Sequence, residues 1–256
     1  LGASAVKECA DGALECTVTA DPDTFCARAA EHGLTVLDRR EVAPRNWVQE
    51  CAEIWESLSV GSFTIVPVLD ADALPTPDAS APDHLFLVPG QGFGTGHHES
   101  TRLALSFLEH PNVHTPPPRR ILDVGTGSGI LAVAAAKRFA GATVSGIDID
   151  APALENARDN LRLNGLERTI DLSTTPIDEV GGRYDLLLAN IYAEVLCAME
   201  PEFARLLEPG GFLVTSGILE SLAPAVEASF TNASWKILES RAEGNWRALL
   251  IERSAR

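Results

Sequence analysis

A glycine-rich turn after an apolar run is the feature of this sequence best suited to hold a nucleotide-like cofactor. The run begins at Ile121 and contains Asp123, and glycines follow it at every second position. These glycines are Gly125, Gly127 and Gly129. Glycine lets the backbone turn tightly and approach a ligand with no side chain in the way. A dinucleotide-binding turn would have its third glycine at position 130, where Ile130 stands, so the spacing disfavours a pyrophosphate.

An acidic residue at the end of the next predicted strand strengthens the cofactor interpretation. Asp148 follows the glycines by roughly 20 residues, where a carboxylate can accept hydrogen bonds from both hydroxyls of a ribose. Asp123 and the glycine amides are suited to hold a methionine moiety, which needs no phosphate site. Asp150 is expected instead to cap the following helix, residues 152–163. Together these residues predict a site for S-adenosylmethionine, the donor used by methyltransferases.

The side chain of Asn190 is the candidate for the transfer step. It ends the fourth predicted buried strand, residues 184–189, at the carboxyl edge where open α/β sheets bind ligands. An amide oxygen there can accept a hydrogen bond from an incoming amine and orient the nitrogen lone pair toward the donor methyl group. The alternative is that Asn190 caps the next helix. Tyr192 and Glu194 either line the same mouth or belong to that helix.

The most distinctive segment precedes the glycine turn. Residues 93–102 are Phe-Gly-Thr-Gly-His-His-Glu-Ser-Thr-Arg, and their glycines would let the segment fold closely over a ligand. From Ser100 onward the pattern predicts an amphipathic helix, with Thr101 near its start. His97, His98 and Glu99 could suggest a metal site. Neighbours in sequence rarely point at one ion, and no further ligand cluster accompanies them, so the sequence predicts none.

The elements that must position these residues alternate between strand and helix from residue 120 onward. Such alternation is typical of a parallel sheet with helices on both faces. Near the C-terminus, residues 235–239 and 246–251 flank a short turn and are predicted to pair antiparallel. The expected fold is therefore a Rossmann-like, doubly wound α/β sheet with an antiparallel last strand, as in class I methyltransferases.

The residues before this sheet follow a different pattern. Residues 13–42 predict strand, helix and strand, a small α+β piece that is too short to bury much core. We expect a ferredoxin-like module that is either truncated or completed by its neighbour. Residues 47–58 place their apolar side chains on one helical face and predict a connecting helix. Two β-rich runs, residues 63–68 and 85–88, flank a loop with Pro75, Pro77 and Pro82 and are predicted to form an edge hairpin.

Composition restricts the class of partner. The 256 residues are 45% hydrophobic, which suits one doubly wound domain with a small appendage. The formal charge of −16 opposes a nucleic-acid surface and favours a basic partner, unless it serves solubility alone. No apolar run approaches the roughly 18 residues of a membrane span. The first residues show no secretion signal, and because Leu1 is not a natural start we expect residues to precede it.

The cysteines indicate a reducing compartment. Their number is odd and none of them forms a Cys-x-x-Cys pair, which excludes a disulfide framework and a zinc site of the usual spacing. The five are Cys9, Cys16, Cys26, Cys51 and Cys197. The pattern predicts a cytoplasmic protein.

Taken together, the motifs resemble those of the bacterial PrmA family, which methylates ribosomal protein L-eleven. The resemblance rests on the 93–102 segment, on Asp-Val-Gly-Thr-Gly-Ser-Gly-Ile-Leu, on Gly-Ile-Asp-Ile-Asp, on Ala-Asn-Ile-Tyr-Ala-Glu and on the Ser-Gly-Ile-Leu of residues 216–219. It runs from about residue 47 to the C-terminus. It implies a protein N-methyltransferase that transfers methyl groups from S-adenosylmethionine to lysine side chains and α-amino groups.

The resemblance also implies site residues and domains. The donor-binding positions of the family fall on Thr101, Gly125, Asp148 and Asn190, with Asn190 at the transfer site. Residues 1–44 would recognise the substrate, residues 45–59 would form the linker helix and residues 60–256 would form the catalytic domain. The N-terminal module of the family is resembled in arrangement only, so the substrate is carried over less directly than the chemistry.

Several alternatives stay open at this point. The target could be a different basic or flavin-carrying protein, or the chain could bind the donor without turnover. An oxidoreductase would need a dinucleotide and is opposed by Ile130. A lysine amine with an ordinary pKa near 10.4 is protonated at neutral pH, so a proton must leave before transfer. Either the 97–99 side chains accept it, or it is lost to water before the amine enters the site.

Overall fold

The chain is divided into two units of unequal size. In the computed structural model, residue contacts separate Leu1–Arg45 from Asn46–Arg256. The structure describes residues 3–8, 14–18, 22–32, 35–36, 56–68, 83–88, 96–232 and 234–254. None of the helices within these ranges combines the length and the apolar character needed to span a bilayer.

The first unit contains an antiparallel strand pair and one helix. Strands β1 (Ala3–Glu8) and β2 (Leu14–Val18) pair antiparallel, and α1 (Pro22–Glu31) follows. The predicted strand before the helix and the helix itself are present. The predicted strand after the helix is wrong at Thr35 and Val36, which have no regular structure. The sequence interpretation overlooked β1, which is the pairing partner of β2. Val36 is 43% exposed, so little burial favours a further strand at this position.

The second unit begins with a small sheet in the order β3-β4-β5. Its strands are β3 (Leu58–Val60), β4 (Phe63–Pro67) and β5 (His84–Leu87). The predicted hairpin between residues 63–68 and 85–88 is wrong, because β4 and β5 run parallel and parallel strands cannot be joined by a tight turn. The hairpin lies between β3 and β4 instead, at a turn that contains Gly61 with φ of 59°.

The last residues of the predicted connecting helix are not helical. Strand β3 begins at Leu58, and Glu56 and Ser57 have no regular structure. The prediction of a helix over residues 45–59 is therefore wrong for its last residues. Pairing of Leu58 with Ile65 of β4 competes with the helical pattern there. Residues 46–55 lie outside the described residues, as do the prolines at 75, 77 and 82 and the glycine-rich residues 89–95.

The main sheet has seven strands in the order β11-β12-β10-β9-β6-β7-β8. They are β6 (Arg120–Val124), β7 (Thr143–Ile147), β8 (Ile170–Ser173), β9 (Tyr184–Asn190), β10 (Leu207–Leu219), β11 (Trp235–Glu243) and β12 (Trp246–Arg253). The pairs between β8 and β10 are parallel, whereas β12 runs antiparallel to both β10 and β11. This confirms the predicted doubly wound sheet with an antiparallel last strand.

Helices cover both faces of this sheet. They are α2 (Glu99–Phe107), α3 (Pro111–His114), α4 (Ile130–Arg138), α5 (Ala151–Leu163), α6 (Ala193–Ala198), α7 (Glu200–Leu206) and α8 (Ala223–Ser229). Side chains alternate across β6, so Ile121 packs with Leu105 and Leu131 on one face while Leu122 packs with Phe203 on the other. The strand therefore has apolar contacts on both sides.

The strand order determines where a ligand can bind. The chain continues from β6 to β7 and β8 on one side and then returns to β9 on the other side of β6. At such a switch point the connections diverge and leave a crevice beyond the carboxyl ends of the strands. The glycine turn follows β6, Asp148 follows β7 and Asn190 ends β9, so all three predicted elements face this crevice.

Candidate active site

The glycine turn adopts backbone angles that other residues rarely take. Gly125, Gly127 and Gly129 have φ values of 69°, 53° and 79°. Gly129 is also the N-cap residue of α4, and an added Cβ there would lie 3.3 Å from the Cβ of Ala157 on α5. The amides of Gly125 and Thr126 donate to the carbonyl of Ile147, at 2.9 and 3.0 Å, which holds the turn against β7.

The carboxylate of Asp148 lies against this turn, as the sequence predicts. Its Oδ2 accepts a hydrogen bond of 2.9 Å from the amide of Gly127, and its Oδ1 accepts one of 3.0 Å from the amide of Asp150. Each carboxylate oxygen can accept further bonds, so the group can also receive ribose hydroxyls. Asp150 occupies the N-cap position of α5, as predicted, but its side chain makes no capping hydrogen bond.

Asp123 is a buried carboxyl group with one unpaired oxygen. The residue is 1% exposed, and its Oδ2 accepts from the Thr126 hydroxyl at 2.6 Å and from the Ala132 amide at 3.2 Å. Its Oδ1 is buried and has no hydrogen-bond partner among the described residues. Burial raises the pKa of Asp123 to about 7, because desolvation of the charged form and the nearby charge of Asp148 outweigh those two hydrogen bonds.

Asn190 and Thr101 meet although 89 positions separate them in the sequence. The amide Nδ2 of Asn190 donates to the hydroxyl of Thr101 at 3.3 Å. Both residues are buried, and the Oδ1 of Asn190 has no hydrogen-bond partner within the described part of the chain. The residue does not cap the next helix, because Tyr192 holds the N-cap position of α6. The free amide oxygen is therefore available to a donor from a ligand.

The histidine-containing segment fixes the start of α2. The helix begins at Glu99, one residue before the predicted start, because His98 is its N-cap and the His98 ring accepts from the amide of Ser100 at 3.3 Å. The His98 ring also lies 4.6 Å from that of Trp246. Arg102 binds the carboxylate of Glu243 at 2.6 Å and donates to the carbonyl of His97. These contacts fix the first turn of α2, which contains Thr101.

The base candidates of this segment are engaged in structural contacts. The Nε2 of His97 lies 3.2 Å from the carbonyl oxygen of Glu56, and the Nδ1 of His98 lies 2.7 Å from the hydroxyl of Ser100. Glu99 lies 4.0 Å from the guanidinium of Arg102. No group of three or more histidine, cysteine, aspartate or glutamate side chains in the described ranges is arranged to hold a metal ion.

Two residues of β10 help to position Asn190 and α2. The sequence predicted a chemical role for neither of them. The hydroxyl of Ser216 donates to the carbonyl of Ser100 at 2.7 Å and so joins β10 to α2. Gly217 has φ of 79°, and an added Cβ would lie 2.7 Å from the carbonyl oxygen of Ile191 and 3.1 Å from the Oδ1 of Asn190. A Ser-Gly pair near the end of a buried strand is the one sequence signal for this close approach.

Two apolar side chains are exposed at the same edge of the sheet. Ile149, directly after Asp148, is 85% exposed, and Tyr192, two residues after Asn190, is 76% exposed. Large apolar side chains at such exposure beside a crevice are typical of a ligand-binding mouth. The exposure of Tyr192 favours the interpretation that its side chain lines the crevice over the interpretation that it only belongs to the next helix.

Comparison with known proteins identifies related sequences. A family model described as ribosomal protein L11 methyltransferase (PrmA) matches residues 15–254. A ribosomal protein L11 methyltransferase of Pelobacter propionicus is 41% identical over 221 residues, which are 84% of this chain and 69% of that protein. One from Syntrophotalea carbinolica is 38% identical over 218 residues, which are 84% of this chain and 68% of that protein.

A solved structure is also similar. The ribosomal protein L11 methylase of Lactobacillus delbrueckii subsp. bulgaricus superposes with a TM-score of 0.66 at 32% sequence identity. The match covers 78% of this chain and 98% of that one. A putative O-methyltransferase from Klebsiella pneumoniae, with 16% identity and a TM-score of 0.52, shares the fold alone.

The raised pKa of Asp123 predicts a pH dependence of stability. Because the folded-state pKa of about 7 exceeds the ordinary value of 3.8, protonation favours the folded state, and this stabilisation is lost as pH rises through about 7. The isosteric Asp123→Asn variant has no carboxyl group and lacks this loss. Urea unfolding of both proteins between about pH 5 and about pH 8 measures the difference. Parallel profiles for the two proteins would contradict the assignment.

The close approach at Gly217 predicts an unequal effect of two alanine substitutions. Gly141→Ala introduces backbone strain at φ of 90° with no neighbour within 4 Å, and we expect it to cost about 1 kcal/mol. Gly217→Ala adds a clash with the backbone carbonyl of Ile191, and we expect it to cost about 3 kcal/mol. Denaturant unfolding measures both free energies. Equal costs would show that the backbone near Asn190 relaxes freely.

Proposed function

The chain belongs to the ribosomal protein L11 methyltransferase (PrmA) family, and from that premise we propose that it transfers methyl groups from S-adenosylmethionine to amines of ribosomal protein L11. As a member of this family it is a protein methyltransferase. The observation that carries the proposed mechanism is the Asn190 amide, whose nitrogen is held by Thr101 and whose buried oxygen is unpaired among the described residues.

The residues present fit S-adenosylmethionine. The carboxylate of Asp148 beside the glycine turn would accept hydrogen bonds from the ribose hydroxyls, and the glycines of the turn would let the methionine moiety approach the backbone. The unpaired Oδ1 of Asp123 offers a buried acceptor for the amino group of that moiety. Exposed Ile149, next to Asp148, provides an apolar surface for a planar ring. The donor supplies a methyl group on a positively charged sulfur, which is an activated leaving group.

The role of Asn190 is to orient the acceptor amine. Its Oδ1 would accept one N–H of the amine, so that the lone pair of the nitrogen faces the methyl group. Thr101 fixes the amide by accepting from its Nδ2, which leaves the oxygen toward the amine. Transfer needs alignment more than activation, because the sulfonium group is already a good leaving group. Misplacement by about 1 Å can cost about a hundredfold in rate.

The proton of the amine is proposed to leave to water as the amine enters the crevice. Removal of a protonated lysine from water and the adjacent sulfonium charge of the donor both disfavour the ammonium form. His97 and His98 are poor bases in this position, because the His97 ring contacts a backbone carbonyl and the His98 ring caps α2. Of the two routes that the sequence leaves open, these contacts favour loss to solvent.

Charge and exposure support a basic protein as the substrate. The formal charge of −16 attracts a cationic partner, and the exposed Tyr192 beside Asn190 offers an aromatic surface to a lysine stem. The same charge opposes direct contact with nucleic acid. We propose that residues 1–44 recognise the substrate, as the family resemblance implies, and that the protein acts in the cytoplasm.

The proposed function predicts methylation of one specified protein. Unmethylated ribosomal protein L11, incubated with the chain and S-adenosylmethionine, should gain mass in steps of one methyl group by intact-mass spectrometry. Asn190→Ala should lower the rate by about a hundredfold because the amine loses its orienting acceptor. Asn112→Ala is the matched control, since Asn112 is an exposed residue of α3 whose backbone amide binds the ring of His110, outside the crevice.

The outcomes separate the parts of the proposal. A wild-type rate in Asn190→Ala would contradict the role of Asn190. Donor binding without any mass change would overturn ribosomal protein L11 as the substrate and direct the search to other basic proteins. Failure of the unmodified chain to bind S-adenosylmethionine would overturn the proposed donor.

A further inference from the structure

The outer edge of β5 is covered by side chains in place of a strand. On its inner edge, the carbonyls of Asp83 and Leu87 accept from the amides of Thr64 and Val68, at 3.1 and 2.7 Å. The backbone groups of alternate residues point the other way, where none of the described strands pairs with β5. Unpaired backbone groups at a buried edge are costly, so these groups need other partners.

Two asparagines of α5 and the asparagine at its C-cap supply most of these partners, and we term them the asparagine ladder: Asn156, Asn160 and Asn164. Asn164 binds both backbone groups of Phe86, accepting from its amide at 3.1 Å and donating to its carbonyl at 2.7 Å. Asn160 accepts from the amide of Val88 at 2.7 Å, and Asn156 donates to the carbonyl of Val88 at 3.2 Å.

The spacing of the ladder follows from helix and strand geometry. Residues four apart on a helix are separated by about 6 Å along its axis. Alternate residues of a strand are separated by about 6.6 Å. A carboxamide at every fourth position of α5 therefore reaches successive outward-facing peptide groups near β5. All three asparagines are buried, with exposed fractions of 9% or less.

Asn160 differs from the other two because it also binds the glycine turn. Its Nδ2 donates to the carbonyl of Ser128 at 2.8 Å, and its side chain is fully buried. Ser128 directly follows Gly127, whose amide binds Asp148. Within the described part of the chain, Asn164 makes no hydrogen bond to the turn and donates to the carbonyls of Phe86 and Asn160. One carboxamide thus connects the segment that follows β5 with the turn that faces the crevice.

We propose that Asn160 is a positioning residue for the methyl donor, acting through the carbonyl of Ser128 and touching neither donor nor substrate. Holding this carbonyl on the α5 side keeps the preceding peptide groups in the orientation that places the Gly127 amide at Asp148. Loss of the bond removes this restraint and frees the turn to reorient. The inference rests on the proposed function in that the donor occupies this turn.

The test compares leucine substitutions at the three ladder positions in the full chain. Each removes a buried carboxamide, so we expect all three to lower the thermal midpoint. Only Asn160→Leu removes a bond to the turn. Titration calorimetry with S-adenosylmethionine should then show about tenfold weaker binding for Asn160→Leu, which corresponds to about 1.4 kcal/mol, and a change of less than about twofold for Asn156→Leu and Asn164→Leu.

Hydrogen exchange without donor supplies an independent readout. The amides of residues 125–130 should exchange faster in Asn160→Leu alone, whereas those of residues 84–88 should exchange faster in Asn164→Leu. If Asn160→Leu does not fold, Asn160→Asp is compared with Asn164→Asp, because aspartate keeps the acceptor and loses the amide donor.

Two results would overturn the inference. Equal donor affinity in all three variants would show that the ladder serves stability alone, and so would equal exchange of the turn amides. If the unmodified chain binds no S-adenosylmethionine, the proposed donor is wrong, and the exchange experiment still decides whether Asn160 positions the turn.

Discussion

The backbone of the glycine turn after β6 is the constraint on which the rest of the site depends. Three positive φ values within five residues fold the backbone into a tight turn after β6, and this geometry is costly for any residue with a side chain. The turn is held from several sides. Asp148 binds the Gly127 amide on the β7 side, the Ile147 carbonyl binds two further amides, and Asn160 binds the Ser128 carbonyl from α5.

The opposite side of the crevice is built by different elements with a different task. There β9 supplies Asn190, α2 supplies Thr101, and Gly217 permits the close approach of β10 to Asn190 and Ile191. The switch in strand order at β6 brings these elements beside the glycine turn. Residues suited to a nucleoside thus lie toward β7, and the residue suited to an amine lies on β9. This division matches a reaction in which one substrate donates a methyl group and another accepts it.

The sequence predicted the parts of this site that depend on local patterns. The glycine turn, the helix over residues 152–163 and the antiparallel C-terminal strands all follow from short-range periodicity and turn residues. Parallel pairing of β4 and β5 was missed, because apolar runs do not encode the direction of pairing. The contact of Asn190 with Thr101 and the asparagine ladder were also missed. Polar residues at helical spacing resemble a solvated face, and only the tertiary structure shows that they meet a strand edge.

The donor site at the glycine turn is tested by the binding of S-adenosylmethionine to the unmodified chain and to Asp148→Ala, measured by titration calorimetry. Asp159→Ala is the matched control, because Asp159 is an exposed aspartate that pairs with Arg162 on the surface of α5. We expect one donor per chain and binding weakened by about a hundredfold in Asp148→Ala, since hydrogen bonds from ribose hydroxyls to a carboxylate are lost. Equal affinity in Asp148→Ala and the unmodified chain would contradict a donor site at the glycine turn.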